Sequence, residues 1–204
     1  MTAVLCSSNE HKARELERLL PGWTIELLDV DAFPPETGAT YYDNAVAKAL
    51  FGRDVGTPDA WMLGEDSGIE VDGLDGGPGV HSARSAAGDE VGWMLRTLGD
   101  DDRRGARYVC ELVALAPDAR EFRGTGTVSG RIGHVPRGHE GFGFDPVFVP
   151  DGEERTVAEL GDGWKAEHSH RANAARARCE LRAFQSSPSS ATVRSSPSGT
   201  KIGS

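Results

Sequence analysis

The sequence predicts an α/β fold. Two observations favour this class: short apolar segments typical of β-strands alternate with segments whose apolar residues recur at helical spacing, and turns rich in Gly or Pro separate them. With 204 residues, 38% of them hydrophobic, the chain is long enough for one domain, of one or two lobes, around a packed core. We expect this domain to span residues 1–184.

The first third of the chain predicts the order strand, helix, strand, helix, strand. An apolar run that ends in small polar residues predicts the first strand, and leucines at helical spacing before a Pro-Gly pair predict the helix after it. A second strand, a proline-bearing loop, an alanine-rich helix and a buried strand follow. The predicted segments are 3–8, 9–22, 23–30, 41–56 and 60–68, and the last strand is expected to end at its acidic residues.

The remainder predicts one helix, two consecutive strands, an aromatic loop that leads into a strand, and a final helix. These segments are 90–99, 106–117, 121–133, 141–152 and 169–184. A Ser/Pro-rich tail with almost no apolar residues occupies 185–204. Because such a composition buries too little surface to offset the entropy of ordering, we expect the tail to be disordered.

Composition and charge argue against several classes of protein. The formal net charge of −10 is unlike the basic surface of a nucleic-acid-binding protein, and no apolar stretch approaches the roughly 18 residues of a membrane span. The N-terminal residues lack the basic and apolar regions of a signal peptide. The three cysteines, Cys6, Cys110 and Cys179, fit neither a disulfide framework nor a zinc spacing. We therefore expect a cytoplasmic protein with reduced thiols and no nucleic-acid or membrane partner.

The turn between the first strand and the first helix carries Ser7, Ser8 and Asn9, with Lys12 following. The N–H groups and the dipole of a helix N-terminus attract anions, and a lysine in the first turn can reach a phosphate. The same residues also suit plain helix capping by Ser8 or Asn9. Both interpretations stay open at this point, and the chain contains no P-loop motif.

Four acidic residues are candidates for binding a divalent cation: Glu36, Asp43, Glu65 and Asp66. Mg²⁺ prefers oxygen ligands, usually one or two carboxylates together with waters and substrate phosphates. Taken singly, each acid also suits an exposed acidic surface. Glu65 and Asp66 stand out because adjacent carboxylates at the end of an apolar strand repel each other unless a cation or another positive group lies near them.

Two further segments suit recognition of a planar, oxygen-bearing ligand. In the aromatic loop, Phe142 and Phe144 flank Gly143, so the rings either stack on a ligand or pack in the core. Near the last predicted helix, a run of hydrogen-bond donors comprises Lys165, His168, Ser169, His170 and Arg171. Zinc binding by the two histidines is disfavoured because no third ligand has suitable spacing. Donors aimed at the carbonyl oxygens of a base fit this segment better.

Eight motifs occur in an order that resembles the inosine triphosphate pyrophosphatase family, and together they span about residues 3–175. They are S-x-N-x-x-K-x-x-E at 7–15, P-E-T-G at 35–38, D-N-A-x-x-K-A at 43–49, E-D-S-G at 65–68, G-G-P-G-V-x-S-A-R ending at Arg84 with Asp75 just before it, G-F-G-F-D-P at 141–146, T-x-A-E-L at 156–160 and S-H-R at 169–171.

The resemblance implies an elongated two-lobed α/β fold around a long mixed β-sheet, with the nucleotide in the cleft between the lobes, and a homodimer. It implies Mg²⁺-dependent hydrolysis of ITP, dITP and XTP to the monophosphate and pyrophosphate. Hydrogen-bond donors around the base would pair with the 6-oxo group of these purines. The amino group of adenine would leave the same donors unpaired.

The resemblance also implies roles for individual residues. Ser7, Ser8, Asn9, Lys12 and Lys48 would bind the triphosphate, and Ser67 would contact the substrate. Glu36 and Asp66 would hold Mg²⁺ with Glu65 close enough to assist, Asp66 would act as general base, and Glu15 would position Lys12 or the metal-bound water. The catalytic set would then be Asn9, Lys12, Glu65 and Asp66.

For the base, the resemblance implies a second group of residues. Phe142, Gly143 and Phe144 would face the purine, and Asp145 would lie near its edge. Donors to the purine would come from Lys165, His170 and Arg171.

The chain departs from the family pattern at several points. Ser8 stands where relatives often carry glycine, and Trp164 lies beside Lys165. The stretch 86–108 is short and the last helix is poor in leucine, both in regions that serve packing or dimer contacts in the family. Two alternatives therefore remain: a pyrophosphatase specialised for an unusual nucleotide in a biosynthetic pathway, and a nucleotide-binding relative without turnover.

Overall fold

The computed structural model describes residues 1–57, 59–86 and 88–177, so the expected tail and the second half of the last predicted helix lie outside the described residues. The helices are α1 (Glu10–Leu19), α2 (Tyr41–Val55), α3 (Ser82–Ser85), α4 (Glu90–Leu98), α5 (Val157–His168) and α6 (His170–Ala177). The strands are β1 (Thr2–Leu5), β2 (Thr24–Leu27), β3 (Trp61–Val71), β4 (Gly105–Leu115), β5 (Glu121–Ile132) and β6 (Phe148–Pro150).

These strands form one mixed sheet in the order β2-β1-β3-β4-β5-β6. β1 is parallel to both β2 and β3, whereas β4, β5 and β6 each pair antiparallel with the preceding strand. The β4–β5 hairpin is paired along its whole length, from Gly105 opposite Arg131 to Leu115 opposite Glu121. The prediction of an α/β fold with a mixed sheet is confirmed.

Side-chain caps fix where three of the helices begin. The Asn9 carboxamide oxygen accepts hydrogen bonds from the first turn of α1. Thr40 and Asp43 form a reciprocal capping box at α2, and Thr156 and Glu159 form another at α5. A cap of this kind satisfies backbone N–H groups that have no partner inside the helix, and is worth about 1 kcal/mol.

Helices cover both faces of the sheet. On one face, α1 and α6 pack over a buried cluster that includes Leu16, Leu63 and Leu112, and on the other face α2 covers Cys6 and Met62. Successive side chains of a strand point to opposite faces, so the neighbours Met62 and Leu63 belong to different clusters. A third cluster joins α4 and α5 to the β4–β6 half of the sheet.

Two glycines allow helices to lie directly on the sheet. A Cβ atom at Gly64 would come within 1.8 Å of the backbone oxygen of Ala45 in α2, and one at Gly126 would come within 2.1 Å of the backbone oxygen of His170 in α6. Both helices therefore contact the strands with their backbones, and this brings residues near their N-termini close to the middle of β3.

Three elements differ from the sequence prediction, and the first is the short helix α3, which was not predicted. Helix α5 was not predicted, because Gly161 and Gly163 interrupt its apolar pattern; Gly161 has a positive φ of 76° within it. Strand β3 does not end at its acidic residues but continues to Val71, so Glu65 and Asp66 lie in its middle. No helix in the described ranges is long and apolar enough to cross a membrane.

Candidate active site

The candidate site lies at the topological switch point of the sheet, where successive strands are added to opposite sides of β1. From β1 the chain passes through α1 to β2 on one side, and then returns through α2 to β3 on the other side of β1. In α/β sheets, ligands bind at such a point, outside the carboxyl ends of the strands. β1 ends at Leu5, opposite Leu63, so the acidic residues of β3 lie just beyond that end.

On the α1 and α6 face, Glu65 is completely buried between positively charged groups. Its carboxylate accepts hydrogen bonds from Arg171 Nη2 at 2.8 Å and Nε at 3.2 Å, and lies 2.5 Å from Lys12 Nζ. Cys110 Sγ lies 3.4 Å from the same carboxylate. Arg171 also donates to Ser67 Oγ at 3.2 Å. Glu65 therefore fixes both the first helix and the last described helix to the strand.

The ion pairs continue from Arg171 along this face. Arg171 is bonded to Glu15, Glu15 lies 2.5 Å from Lys165 Nζ, and Lys165 donates to Asp145 Oδ2 at 2.9 Å. Glu15 was expected to position Lys12 or the metal-bound water, but its ion-pair partners are the cations of α5 and α6, because these helices pack against α1. The result is a chain of alternating charges that holds Lys165 and Arg171 in place.

On the α2 face, Asp66 and Glu36 share the ammonium group of Lys48. Lys48 Nζ lies 2.8 Å from Asp66 Oδ1 and 2.5 Å from Glu36 Oε1, and it also donates to the backbone oxygen of Glu65 at 3.0 Å. Asn44 Nδ2 donates to Asp66 Oδ2 at 3.1 Å. Arg84 is bonded to Glu36 from the exposed side. Two carboxylates expected to bind one cation are thus brought together.

Glu65 and Asp66 are not brought together in the expected way. The expectation that Glu65 lies near the cation bound by Asp66 requires both carboxylates to converge, but alternation along β3 turns them to opposite faces of the sheet. Asp43 likewise lies outside this group, because its carboxylate accepts from Thr40 N at 3.0 Å in the capping box of α2. Glu36 and Asp66 remain as the acidic pair.

The surroundings shift the pKa values of these acids in different directions. Burial raises the pKa of Asp66, and the neighbouring Lys48 only partly opposes it. Burial acts on Glu65 and Glu36 in the same direction, but the charges of Arg171 and Lys12 hold the pKa of Glu65 well below its ordinary value, and Lys48 and Arg84 hold that of Glu36 below its ordinary value. Of the three, Asp66 is therefore the carboxylate that binds a proton most readily.

The predicted phosphate turn is a capped helix N-terminus at the cleft. Asn9 Oδ1 accepts from the backbone N–H groups of His11 at 2.9 Å and Lys12 at 3.2 Å, and Asn9 N donates to Ser7 Oγ at 3.1 Å. Capping by Asn9 is therefore confirmed, whereas Ser8 is exposed and caps nothing. Because Asn9 and Lys12 both line the cleft, capping and anion binding do not exclude each other here.

The aromatic loop places its two phenylalanines differently. Phe142 is half-buried, and its ring lies 4.6 Å from Lys165 Nζ. Phe144 is only 4% exposed and belongs to the core, beside Trp93. Phe142 is therefore the more accessible ring, while Phe144 is a buried residue that contributes to the wall of the cleft. Asp145 lies below Phe142 and accepts its backbone N–H at 3.0 Å.

His170 lies at the bottom of the cleft, buried and stacked on Tyr108 with ring centroids 4.6 Å apart. Burial and the charge of Arg171 hold the pKa of His170 well below its ordinary value, so the imidazole is neutral at pH 7. Two donors of the predicted group do not line the cleft. His168 is exposed on α5, and Ser169 is buried, where its Oγ accepts the backbone N–H of Ala172 at 3.1 Å.

The cleft holds about 630 Å³ of empty space when the open solvent at its mouth is included. Its lining contains most of the predicted site residues, together with Ser82 and Ala83 from the motif that ends at Arg84, for which no role was predicted. It also contains Glu90 of α4 and Tyr108 of β4, which lie in none of the motifs. Only the folded chain brings these together, since no motif links them. In the described ranges, no cluster of three or more Asp, Glu, His or Cys side chains has the arrangement of a metal site.

The fold and the site define a class: α/β proteins with an open mixed sheet and a charged ligand cleft at the carboxyl end of the parallel strands. The comparisons identify the family within that class. The model of the Ham1 family matches residues 3–181, and the chain belongs to this family.

Relatives and solved structures agree with this assignment. The chain is 43% identical over 186 residues to a dITP/XTP pyrophosphatase of Symbiobacterium thermophilum, covering 86% of this chain and 91% of the relative. It is 39% identical over 178 residues to one of Gloeobacter violaceus, covering 85% and 90%. The structure of the Staphylococcus aureus Ham1 protein has a TM-score of 0.75 at 31% identity, covering 91% of this chain and 98% of that one. The resemblance stated from the motifs is confirmed.

Proposed function

We propose that the protein is a nucleoside triphosphate pyrophosphohydrolase that converts dITP, XTP and ITP to the monophosphate and pyrophosphate. The observation that carries the proposal is the arrangement around the middle of β3: Lys12 on one face of the sheet, and Lys48 with Glu36 and Asp66 on the other. Relatives that match most of this chain are called dITP/XTP pyrophosphatases, which agrees with that chemistry.

The triphosphate binds at the N-terminus of α1 and between the two lysines. The cap leaves the first turn of α1 directed toward the cleft, with Ser7, Ser8 and Asn9 around it. Lys12 and Lys48 approach from either side of β3, so their charges act on different phosphate groups. Positive groups fixed in this way stabilise the charge that develops on the phosphate oxygens during transfer.

Glu36 and Asp66 have the donor chemistry for Mg²⁺. Both offer carboxylate oxygens, and the ammonium of Lys48 lies between them, which shows that the pair accommodates a positive charge. When bound there, Mg²⁺ would neutralise phosphate charge and help to orient the substrate. Glu65 is left out of this group because Arg171 and Lys12 already pair with its buried carboxylate.

Asp66 accepts the proton of the attacking water. Its carboxylate is fixed by Asn44 on one oxygen and Lys48 on the other, so its orientation does not depend on the substrate. Burial raises the pKa of Asp66, which makes the carboxylate a stronger base than an exposed aspartate. The buried Glu65 acts indirectly, by holding Lys12 and Arg171 in position.

The base lies against Phe142, next to Lys165, His170 and Arg171. The internal carboxylates Glu15 and Asp145 hold the two cations in fixed positions, and the neutral His170 retains one N–H donor. A 6-oxopurine presents acceptors to these donors, whereas adenine presents an amino group and leaves buried donors unpaired. Unpaired buried donors give strong discrimination.

Values of kcat/KM for dITP, XTP, ITP, GTP, ATP and dUTP test this proposal, measured as pyrophosphate release with and without Mg²⁺. The expected result is Mg²⁺-dependent release from the first three and at least about 100-fold less from ATP. Tight binding of ITP without release would indicate a nucleotide-binding relative. Preference for another nucleotide would indicate a specialised pyrophosphatase.

We also propose a cytoplasmic homodimer, on the basis of the family resemblance and the acidic composition. Light scattering of the full-length chain at several concentrations tests the oligomeric state. A mass of about 44 kDa, twice the 21.8 kDa of one chain, is expected.

A further inference from the structure

His11, which the family motifs leave as a variable position, contacts the ring proposed to face the base. The imidazole of His11 and the ring of Phe142 are stacked, with centroids 5.2 Å apart and an interplanar angle of 27°. His11 is an exposed residue of the first turn of α1. Phe142 belongs to the distant aromatic loop, so the contact joins two segments that surround the cleft.

His11 is not the only residue in contact with this ring. Lys165 Nζ lies 4.6 Å and Arg171 Cζ 5.9 Å from the centroid of the Phe142 ring, and both side chains line the cleft. His11 does not line the cleft, whereas Phe142 does. The stack therefore supports Phe142 through a residue that lies outside the lining of the cleft.

His11 is itself held in place by its own helix. Its backbone N–H donates to the capping oxygen of Asn9 at 2.9 Å, and its Nδ1 lies 3.2 Å from Arg14 Nη2 one turn later. Phe142, in contrast, lies between Gly141 and Gly143, both with positive φ angles, of 80° and 63°. A ring between two glycines loses more conformational freedom when it is ordered, and a partner on a capped helix reduces that cost.

We infer that His11 is a positioning residue for the purine base: it supports Phe142 so that this cleft-lining ring contacts a 6-oxopurine bound in the cleft. This inference rests on the proposed function, since it specifies how that site binds its base. Because His11 acts through the ring, it affects binding of the base and not of the phosphates. The phosphates contact Asn9 and Lys12 in the same turn, so the two effects are separable by choice of ligand.

The test measures the Kd values of IMP and of inorganic tripolyphosphate by calorimetry for the full-length wild type, His11→Ala, His11→Phe and Glu17→Ala. Glu17 is exposed on the same helix and serves as the matched control for replacement by alanine. For His11→Ala the Kd of IMP is expected to rise about 3- to 10-fold, the range of a lost aromatic pair. The Kd of tripolyphosphate stays unchanged, and His11→Phe restores IMP binding.

Three results would overturn the inference: no binding of IMP by the wild type, an unchanged Kd of IMP in His11→Ala, or a parallel loss of tripolyphosphate affinity. The last would place His11 at the phosphates. Hydrolysis of dITP by the wild type is measured separately. Its absence would overturn the proposed function, while the ratio of the two Kd values would still decide the role of His11.

Discussion

Glu65 and Asp66 are adjacent in the chain, yet their carboxylates lie on opposite faces of the sheet. Glu65 is bonded to Arg171 at 2.8 Å on the α6 face, and Asp66 to Lys48 at 2.8 Å on the α2 face. The strand backbone thus separates the two negative charges, and each carboxylate forms an ion pair with a different cation. We therefore expect the two acids to have different roles, and substituting each one separately tests this.

Replacing Asp66 by Asn should abolish turnover and leave nucleotide binding largely intact. The amide keeps the shape of the side chain and an acceptor for Lys48, but it cannot take a proton from water. A loss of kcat on the order of 10²–10⁴-fold is expected from removing a general base. Pyrophosphate release measures kcat, and calorimetry with ITP measures binding. Near-normal activity would show that Asp66 is not the base.

Replacing Glu65 by Gln should mainly destabilise the fold. The neutral side chain leaves the buried guanidinium of Arg171 with Glu15 as its remaining carboxylate partner, and breaking a buried ion pair costs about 3–5 kcal/mol. Urea denaturation measures the free energy of unfolding. Glu17→Gln serves as the control because Glu17 is an exposed residue of α1. A variant as stable as the wild type but without activity would instead assign Glu65 to the chemistry.

Gly64→Ala should disrupt the Asp66 site from a distance. A Cβ atom at this position would come within 1.8 Å of the backbone of α2, so the helix that carries Lys48 must move away from β3. We expect a loss of about 1–3 kcal/mol of stability together with reduced activity. In Gly163→Ala the new methyl group meets no atom within 4 Å, so this control should keep both. Equal behaviour of the two variants would contradict the close contact.

Stability should fall as the pH drops below about 6.5, because of His170. Burial holds the pKa of His170 well below its ordinary value, so the unfolded chain binds a proton in this range and the native protein does not. The free energy of unfolding then decreases by up to about 1.4 kcal/mol per pH unit. His170→Phe should flatten this slope, as measured by urea denaturation between pH 7.5 and 5.

The exposed His134 provides the control for that experiment, since His134→Gln should leave the slope unchanged. A slope unaffected by His170→Phe would contradict a buried neutral imidazole at this position.

Local pattern was sufficient to predict most of the elements but not their full extent. The leucine spacing of α1 and the apolar run of β4 are strong signals, and these elements were found where expected. Helix α5 was missed because its two glycines break the helical pattern, which the capping box at Thr156 and packing in the core compensate. Strand β3 was ended too early because Gly68 resembles a stop, although pairing with β4 carries the strand past it.

The candidate site, too, was only partly predictable from the sequence. The motifs contained Lys12, Phe142 and Arg171, which line the cleft, because each lies in a segment with a recognisable pattern. Glu36, Lys48 and Asp66 were also in the motifs, but they lie together on the α2 face and outside the lining of the cleft. They did not reveal that Glu65 turns away from Asp66, since that follows only when the strand is known to continue. Nor did they separate Phe142 from Phe144, because burial of one ring depends on the distant Trp93.

The central claim is that the cleft cleaves a 6-oxopurine triphosphate between its α- and β-phosphates. The most direct measurement incubates the full-length chain with dITP and Mg²⁺ and identifies both products by chromatography. The account predicts dIMP and pyrophosphate in equal amounts. Release of dIDP and phosphate, or the return of intact dITP, would contradict it.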